Sequence, residues 1–165
     1  MMKYFFLVFS LFVTSALADA RFKFVPEEVQ RYSYLQFTWW GFKVYKAEIW
    51  TPKAKKPDFK SKLILHIQYQ RNIKADKLVS TTREEWERLK LIKPESEKWL
   101  KALDKIWPDI KTGDSLTTYS DGAVTYFYQG DKLLGKVDDK KFGPLFLQIW
   151  LHNDSQTSEL LKPVK

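Results

Sequence analysis

Tyr126-Phe127-Tyr128-Gln129-Gly130-Asp131-Lys132-Leu133-Leu134-Gly135-Lys136-Val137-Asp138-Asp139-Lys140-Lys141-Phe142-Gly143-Pro144-Leu145-Phe146-Leu147-Gln148-Ile149-Trp150-Leu151 contains a complete piece of tertiary structure. An aromatic strand meets a Gly-Asp turn, returns as a second strand, and passes through the cap residues Asp138 and Asp139 into a helix. That helix sets Phe142, Leu145, Phe146, Ile149 and Trp150 at i, i+3, i+4, i+7 and i+8, the spacing of a core-facing stripe. Pro144 predicts either a helix that begins beside it after a short 3₁₀ turn or a distorted first turn.

Working back from this run, Ser115–Ser120 and Ala123–Gln129 flank Asp121-Gly122, which predicts a type I′ hairpin. Two helices precede it. One, over about residues 75 to 91, has Leu78, Thr82, Trp86 and Leu89 on one stripe. The next follows Pro94 and carries Trp99, Leu100, Leu103, Ile106 and Trp107 before Pro108 ends it. Three strands come first: Val29–Phe37, Phe42–Trp50 after the turn or bulge at Gly41, and a third with Leu63, Leu65, Ile67 and Tyr69 on one face. Lys46 and Glu48 share a face with Val44 and Trp50, so one strand edge is expected to be wet or bulged. With a short helix around Ser158–Leu161, the chain reads as a single α+β domain over residues 19–165.

Residues 1–18 read as an export signal: Lys3, an apolar stretch from Tyr4 to Val13, and the small-x-small site Ala16-Leu17-Ala18. Cleavage is expected after Ala18, with Ala20 as the alternative site. The apolar stretch is shorter than the roughly 20 residues that span a bilayer core, which argues against a retained anchor. A periplasmic location follows, and with no cysteine in the chain stability must come from the core alone. The formal charge of +8 becomes +7 on cleavage, since Lys3 is lost and residues 1–18 hold no acid. Export argues against nucleic acid as the partner of this basic surface. Lys53, Lys55, Lys56, Lys60 and Lys62 read as a solvated loop, with a weak contact to anionic lipid head groups as the sharper alternative.

Phosphate-binding glycine loops and the nucleophile elbow are absent. Two histidines, His66 and His152, without cysteine do not make a conventional zinc site, and no metal or cofactor is expected. Adjacent acids such as Glu84-Glu85 diverge in direction and do not form a carboxylate couple. Three features do hint at a site. Trp39 and Trp40 cannot both face the core of one strand, so one of them is a candidate cleft lining, and Trp40 is placed in the candidate set. Arg71, ending an apolar strand face, needs an acceptor, either a protein carboxylate or a ligand oxyanion. Tyr69, two residues before it, adds a phenol on that strand face.

The chain resembles the chalcone isomerase-like proteins of bacteria from about Tyr34 to Leu161. The resemblance is carried by Gly41–Trp50, Tyr69–Ile73, Trp107–Asp114, the hairpin from Phe127 to Gly135, Phe142–Leu151 and Thr157–Leu161. It implies an open-faced β-sandwich in which helices pack on an antiparallel sheet, with a cleft between the two layers. Plant enzymes of this fold cyclise a chalcone to a flavanone in that cleft, and related non-catalytic members bind fatty acids there. Phe37-Thr38-Trp39-Trp40-Gly41 is similar to the catalytic threonine motif, so Thr38 is the carried-over position. Alignment on Arg71 leaves Gln70 where the family's tyrosine stands, with Tyr69 one residue early and so on the opposite strand face. The plant enzymes also use an arginine on an early strand, and Arg31 lies too close to Thr38 to be its counterpart.

A non-catalytic protein holding a small apolar or amphipathic ligand, such as a fatty acid, is therefore expected. Thr38, Tyr45, Tyr69 and Arg71 would be its polar contacts. An intramolecular lyase or isomerase acting on an α,β-unsaturated carbonyl is the alternative, with Arg71 as oxyanion stabiliser and Tyr69 as proton donor. A ligand-free module docking another envelope protein is the third reading.

Overall fold

The computed structural model describes residues 21–164, so the expected export signal lies outside the described residues. Strands β1 (Gln30–Trp39), β2 (Phe42–Thr51), β3 (Leu63–Tyr69), β4 (Ser115–Ser120), β5 (Thr125–Gln129) and β6 (Lys132–Val137) lie side by side in chain order. Every neighbouring pair is antiparallel. The connection from β3 to β4 carries α1 (Ala75–Arg88) and α2 (Ser96–Ile106), and α3 (Phe142–Leu151) follows β6. This is the expected α+β arrangement, an antiparallel sheet with helices packed on one face.

The helix-side face of the sheet presents Ala47, Ile49, Leu65, Ile67, Leu116 and Phe127, and Trp86, Trp99, Leu103, Phe142 and Phe146 meet it from the helices. The expected stripe of α3 is correct but understates its burial. Gly143, Leu147 and Leu151 are buried too, because α3 has neighbours on several sides. Pro144 sits at its third position, where the amide has no intrahelical acceptor to lose. The turn before it is held by Asp139, whose carboxylate accepts from the Lys141 amide at 3.0 Å and from Trp99 Nε1 at 3.2 Å.

One turn differs from expectation, and the turn or bulge read at Gly41 is a turn. Asp121-Gly122 is not a two-residue type I′ loop, which would need positive φ at both positions. Only Gly122 has it (96°), and β5 starts later, at Thr125. Asp121 Oδ1 instead accepts from the amides of Ala123 and Val124, both at 2.8 Å, and this side-chain turn extends the loop. The two-residue loop with positive φ at both positions is Trp40-Gly41, at 50° and 77° between the paired Trp39 and Phe42.

The expected irregularity in β1–β2 is present as register shifts at Arg31/Ser33 and Phe37/Thr38. Glu48 points to the outer face yet is buried, with Arg21 at 2.9 Å, Arg31 at 3.1 Å and Trp50 Nε1 at 3.1 Å. Part of that outer face is covered by the segment preceding β1. Phe22 and Val25 pack on Ile64 and Tyr119, and the Phe24 ring stacks on Tyr128 with centroids 3.7 Å apart. At the β1 edge the chain's last segment takes hydrogen bonds from Tyr32 and Ser33 and donates one from the Val164 amide to Tyr32.

Candidate functional site

The two layers do not close at the end of the sheet formed by the β1–β2 turn and the C-terminus of β3. There they enclose a cavity of about 890 Å³, within the size range of small-molecule sites. Tyr45, Ile67, Tyr69, Leu116 and Phe127 line it from the sheet, and Leu78, Thr82, Phe146, Ile149 and Trp150 from α1 and α3. Strand alternation explains the sheet contribution. Tyr45, Ala47 and Ile49 of β2 pair with Tyr69, Ile67 and Leu65 of β3, so the tyrosines continue the core face to the open end, where Trp150 of α3 reaches Tyr45.

The two phenols are cross-strand partners, with ring centroids 6.1 Å apart and planes at 66°. Tyr45 also stacks on Phe37 at 4.9 Å, and its hydroxyl accepts from Trp150 Nε1 at 3.2 Å. The Tyr69 hydroxyl has no hydrogen-bond partner among the described residues. Burial pushes both phenols well above the ordinary tyrosine range, and the Trp150 hydrogen bond only partly offsets this for Tyr45. Both groups therefore stay protonated at neutral pH and act as neutral hydrogen-bonding groups rather than as bases. Trp107 lines the cavity as well, and its buried indole N–H has no acceptor among the described residues.

Charged side chains sit at the margin. On α1, Lys77 pairs with Glu84 at 3.4 Å and Arg88 with Glu85 at 2.6 Å, while Lys74 pairs with Asp109 at 2.7 Å. Arg71 differs from these. It follows the end of β3, is exposed, lies over the Phe42 ring with its guanidinium carbon 5.1 Å from the centroid, and forms no ion pair among the described residues. The expectation that Arg71 needs a protein carboxylate or a ligand oxyanion assumed a buried position, and its exposure lets water satisfy it instead.

Of the five candidate residues, the structure brings Tyr45, Tyr69 and Arg71 together on the cavity wall, and Thr38 and Trp40 are not part of that wall. Thr38 alternates with the lining residues Phe37 and Trp39, pairs with Lys43 and is exposed, so it belongs to the opposite face. Trp40 occupies the turn itself and is 83% exposed, and of the tryptophan pair it is Trp39 that lines the cavity. Trp39 could have been found from its alternation with Phe37. Phe142, Phe146 and Trp150 read from the sequence as backing the sheet and shaping the cleft floor; Phe146 and Trp150 line the cavity and Phe142 does not. His66 lies away from the cavity on the outer face, its Nδ1 2.8 Å from Thr117 Oγ1 beneath Phe22. Among the described residues no group of three or more metal-ligating side chains is gathered, and no helix is long and apolar enough to cross a membrane.

Comparison with known proteins agrees with this architecture. The model of the chalcone isomerase-like family matches residues 38–163. The chain belongs to the chalcone isomerase-like family. A protein of Haemophilus influenzae described as uncharacterized is 28% identical over 120 residues, covering 73% of this chain and 59% of the relative, so the chain spans about three-fifths of that protein's length. Among solved structures, the Arabidopsis thaliana fatty-acid binding protein superposes with a TM-score of 0.58 at 10% identity, covering 81% of this chain and 84% of that one. At that identity the likeness establishes a shared fold.

Proposed function

We propose that the protein binds a small apolar or amphipathic ligand, such as a fatty acid, in the cavity between sheet and helices, without catalysing a reaction. The observation that carries this reading is the cavity itself. Apolar side chains from both layers surround a volume large enough for a drug-sized or acyl-chain ligand, and a few polar groups stand at defined places. Tyr45 and Tyr69 offer neutral hydroxyls inside, and Arg71 offers a margin cation that no protein carboxylate occupies among the described residues. A carboxylate head toward Arg71 with its chain running between Tyr69 and Trp150 matches that distribution. The fold shared with a plant fatty-acid binding protein supports the same reading. We propose in addition that the protein works in the periplasm, to which its N-terminal residues would direct it.

The isomerase reading has less support. Thr38, the residue carried over from the catalytic motif, is outside the cavity wall, and burial raises the Tyr69 pKa, which makes it a poorer proton donor than an ordinary phenol. Mass spectrometry of organic extracts from natively purified protein tests the binding reading. Enrichment of one class of acyl or other amphipathic compound in stoichiometric amount is expected. Extracts matching those of an unrelated protein purified in parallel would contradict it.

A further inference from the structure

The β1–β2 turn breaks a local rule with nothing in the fold to compensate. A two-residue loop with positive φ at both positions favours Asn-Gly, because a side chain at the first position is strained unless it is small and polar. Here Trp40 holds that position at φ 50°. Its indole is 83% exposed, and its aromatic contact is Trp39, itself 52% exposed, at 6.5 Å. Phe42, which pairs with Trp39 across the hairpin, is 62% exposed. Three large aromatic rings thus project together from the end of the sheet. Local consistency fails most often where function requires it.

The surroundings of the tip say what it meets. The strand ends at the tip, from Leu35 to Ala47, carry Lys43 and Lys46 and no acid. Lys43 and Lys46 form no ion pair among the described residues, and Arg71 lies over Phe42 at 5.1 Å. Tryptophan and phenylalanine beside unpaired cations form the combination that settles at the head-group level of an anionic bilayer, rings in the acyl boundary and cations at the phosphates. A stable protein interface needs about 1,000 Å² or more, and three side chains on a two-residue turn offer much less. The tip is also continuous with the cavity, since Trp39 and Arg71 line it.

We propose that Trp39, Trp40 and Phe42 form a membrane-docking tip that seats the mouth of the cavity on an anionic lipid surface. If the cavity holds a lipid, this places its entrance where such a ligand leaves or enters the bilayer. That consequence rests on the binding function proposed above, and the docking itself does not.

Co-sedimentation of the purified protein with vesicles of phosphatidylcholine, alone or mixed with phosphatidylglycerol, tests it, together with the tryptophan emission maximum. Binding to the mixed vesicles, a blue-shifted emission and weakening by added salt are expected. Trp40→Asn supplies the residue the turn prefers, so the hairpin folds at least as well while affinity falls about tenfold or more. Phe42→Ser acts in the same direction, and Lys43→Glu weakens binding roughly tenfold on anionic vesicles only. No vesicle binding by the wild type, or equal binding by Trp40→Asn, overturns the proposal. So does a loss that follows Lys53→Ser with Lys55→Ser and Lys56→Ser, in the loop at the far end of β2, because the tip would then be irrelevant. A tip that drives self-association, seen as dimers abolished by Trp40→Asn without vesicle affinity, also overturns it. Tip-dependent vesicle binding in a protein whose extracts contain no enriched ligand would leave docking intact and remove the binding reading.

Discussion

The two ends of the space between sheet and helices are built from the same kinds of residue and finish differently. At the closed end Trp86, Trp99 and Phe142 are fully buried and meet edge to face, with centroids 5.8 to 6.4 Å apart. Each indole there has an acceptor: Leu145 carbonyl for Trp86 and Asp139 for Trp99. At the open end Tyr45, Tyr69, Trp39 and Trp150 border empty volume, and the Tyr69 hydroxyl is unpartnered among the described residues. Phe127 and Phe146 stand on the boundary, packed on one side and lining the cavity on the other. Aromatic content alone therefore does not separate core from site. What separates them is whether the two layers meet: the rings of the closed end are enclosed on all sides, and those of the open end keep one side on the cavity.

The sharpest way to break this contrast is to open the closed end. Trp99→Ala removes a fully buried indole and strands the Asp139 acceptor, and a loss of about 3–5 kcal/mol is expected in urea unfolding. A loss under about 1 kcal/mol would mean the closed end is not the stabilising half. The converse change fills the open end. Leu78→Trp on the α1 wall is expected to weaken ligand binding more than about tenfold while shifting stability by less than about 1 kcal/mol. Direct titration alongside thermal unfolding would read both effects.

A smaller effect is expected from Tyr69→Phe. A hydroxyl bonded to ligand but to no protein group should cost binding about 0.5–1.5 kcal/mol when removed, and leave the ligand-free protein at least as stable. Equal losses of stability and affinity would instead place the hydroxyl in the structural network.

The mildest prediction concerns His66, on the outer face and away from both ends. Burial, then the charge of Arg21, lowers its folded pKa below 6.5, and Glu48 opposes them. The unfolded chain binds that proton more readily, so the histidine's contribution is fully present above about pH 6.5 and is lost as pH falls through the folded pKa. Unfolding titrations should show this loss in the wild type and a shallower one in His66→Gln, while ligand affinity follows neither.

Periodicity revealed most of the framework. β4 has the boundaries expected for it, β3 alternates as read, and the stripe of α3 faces the sheet. Helical periods and strand alternation are local properties, so they survive in the sequence. The losses came where a position depends on something distant. Asp121-Gly122 looked like a tight turn because the pair favours one, but the Asp121 carboxylate captured two amides and lengthened the loop. The turn read at Gly41 is the tight one, and a tryptophan at its first position hides that type. The cover that Phe22, Phe24 and Val25 place over the outer face carries no periodic signal at all.

Within the site, Tyr45 and Tyr69 were legible because each follows the alternation of a clear strand. Thr38 entered through a motif match rather than through alternation, and alternation puts it on the other face. The α3 stripe made Phe146 and Trp150 legible as cleft floor, whereas Phe142, read with them, is core, because a cavity-lining helix residue and a core residue share one spacing.

Calorimetric titration of a long-chain fatty acid into the wild type and into Leu78→Trp tests the central claim most directly. The account predicts saturable one-to-one binding to the wild type with a negative heat-capacity change, and strongly weakened binding to the variant. Absence of saturable heat in the wild type, or identical isotherms for the two proteins, would contradict it.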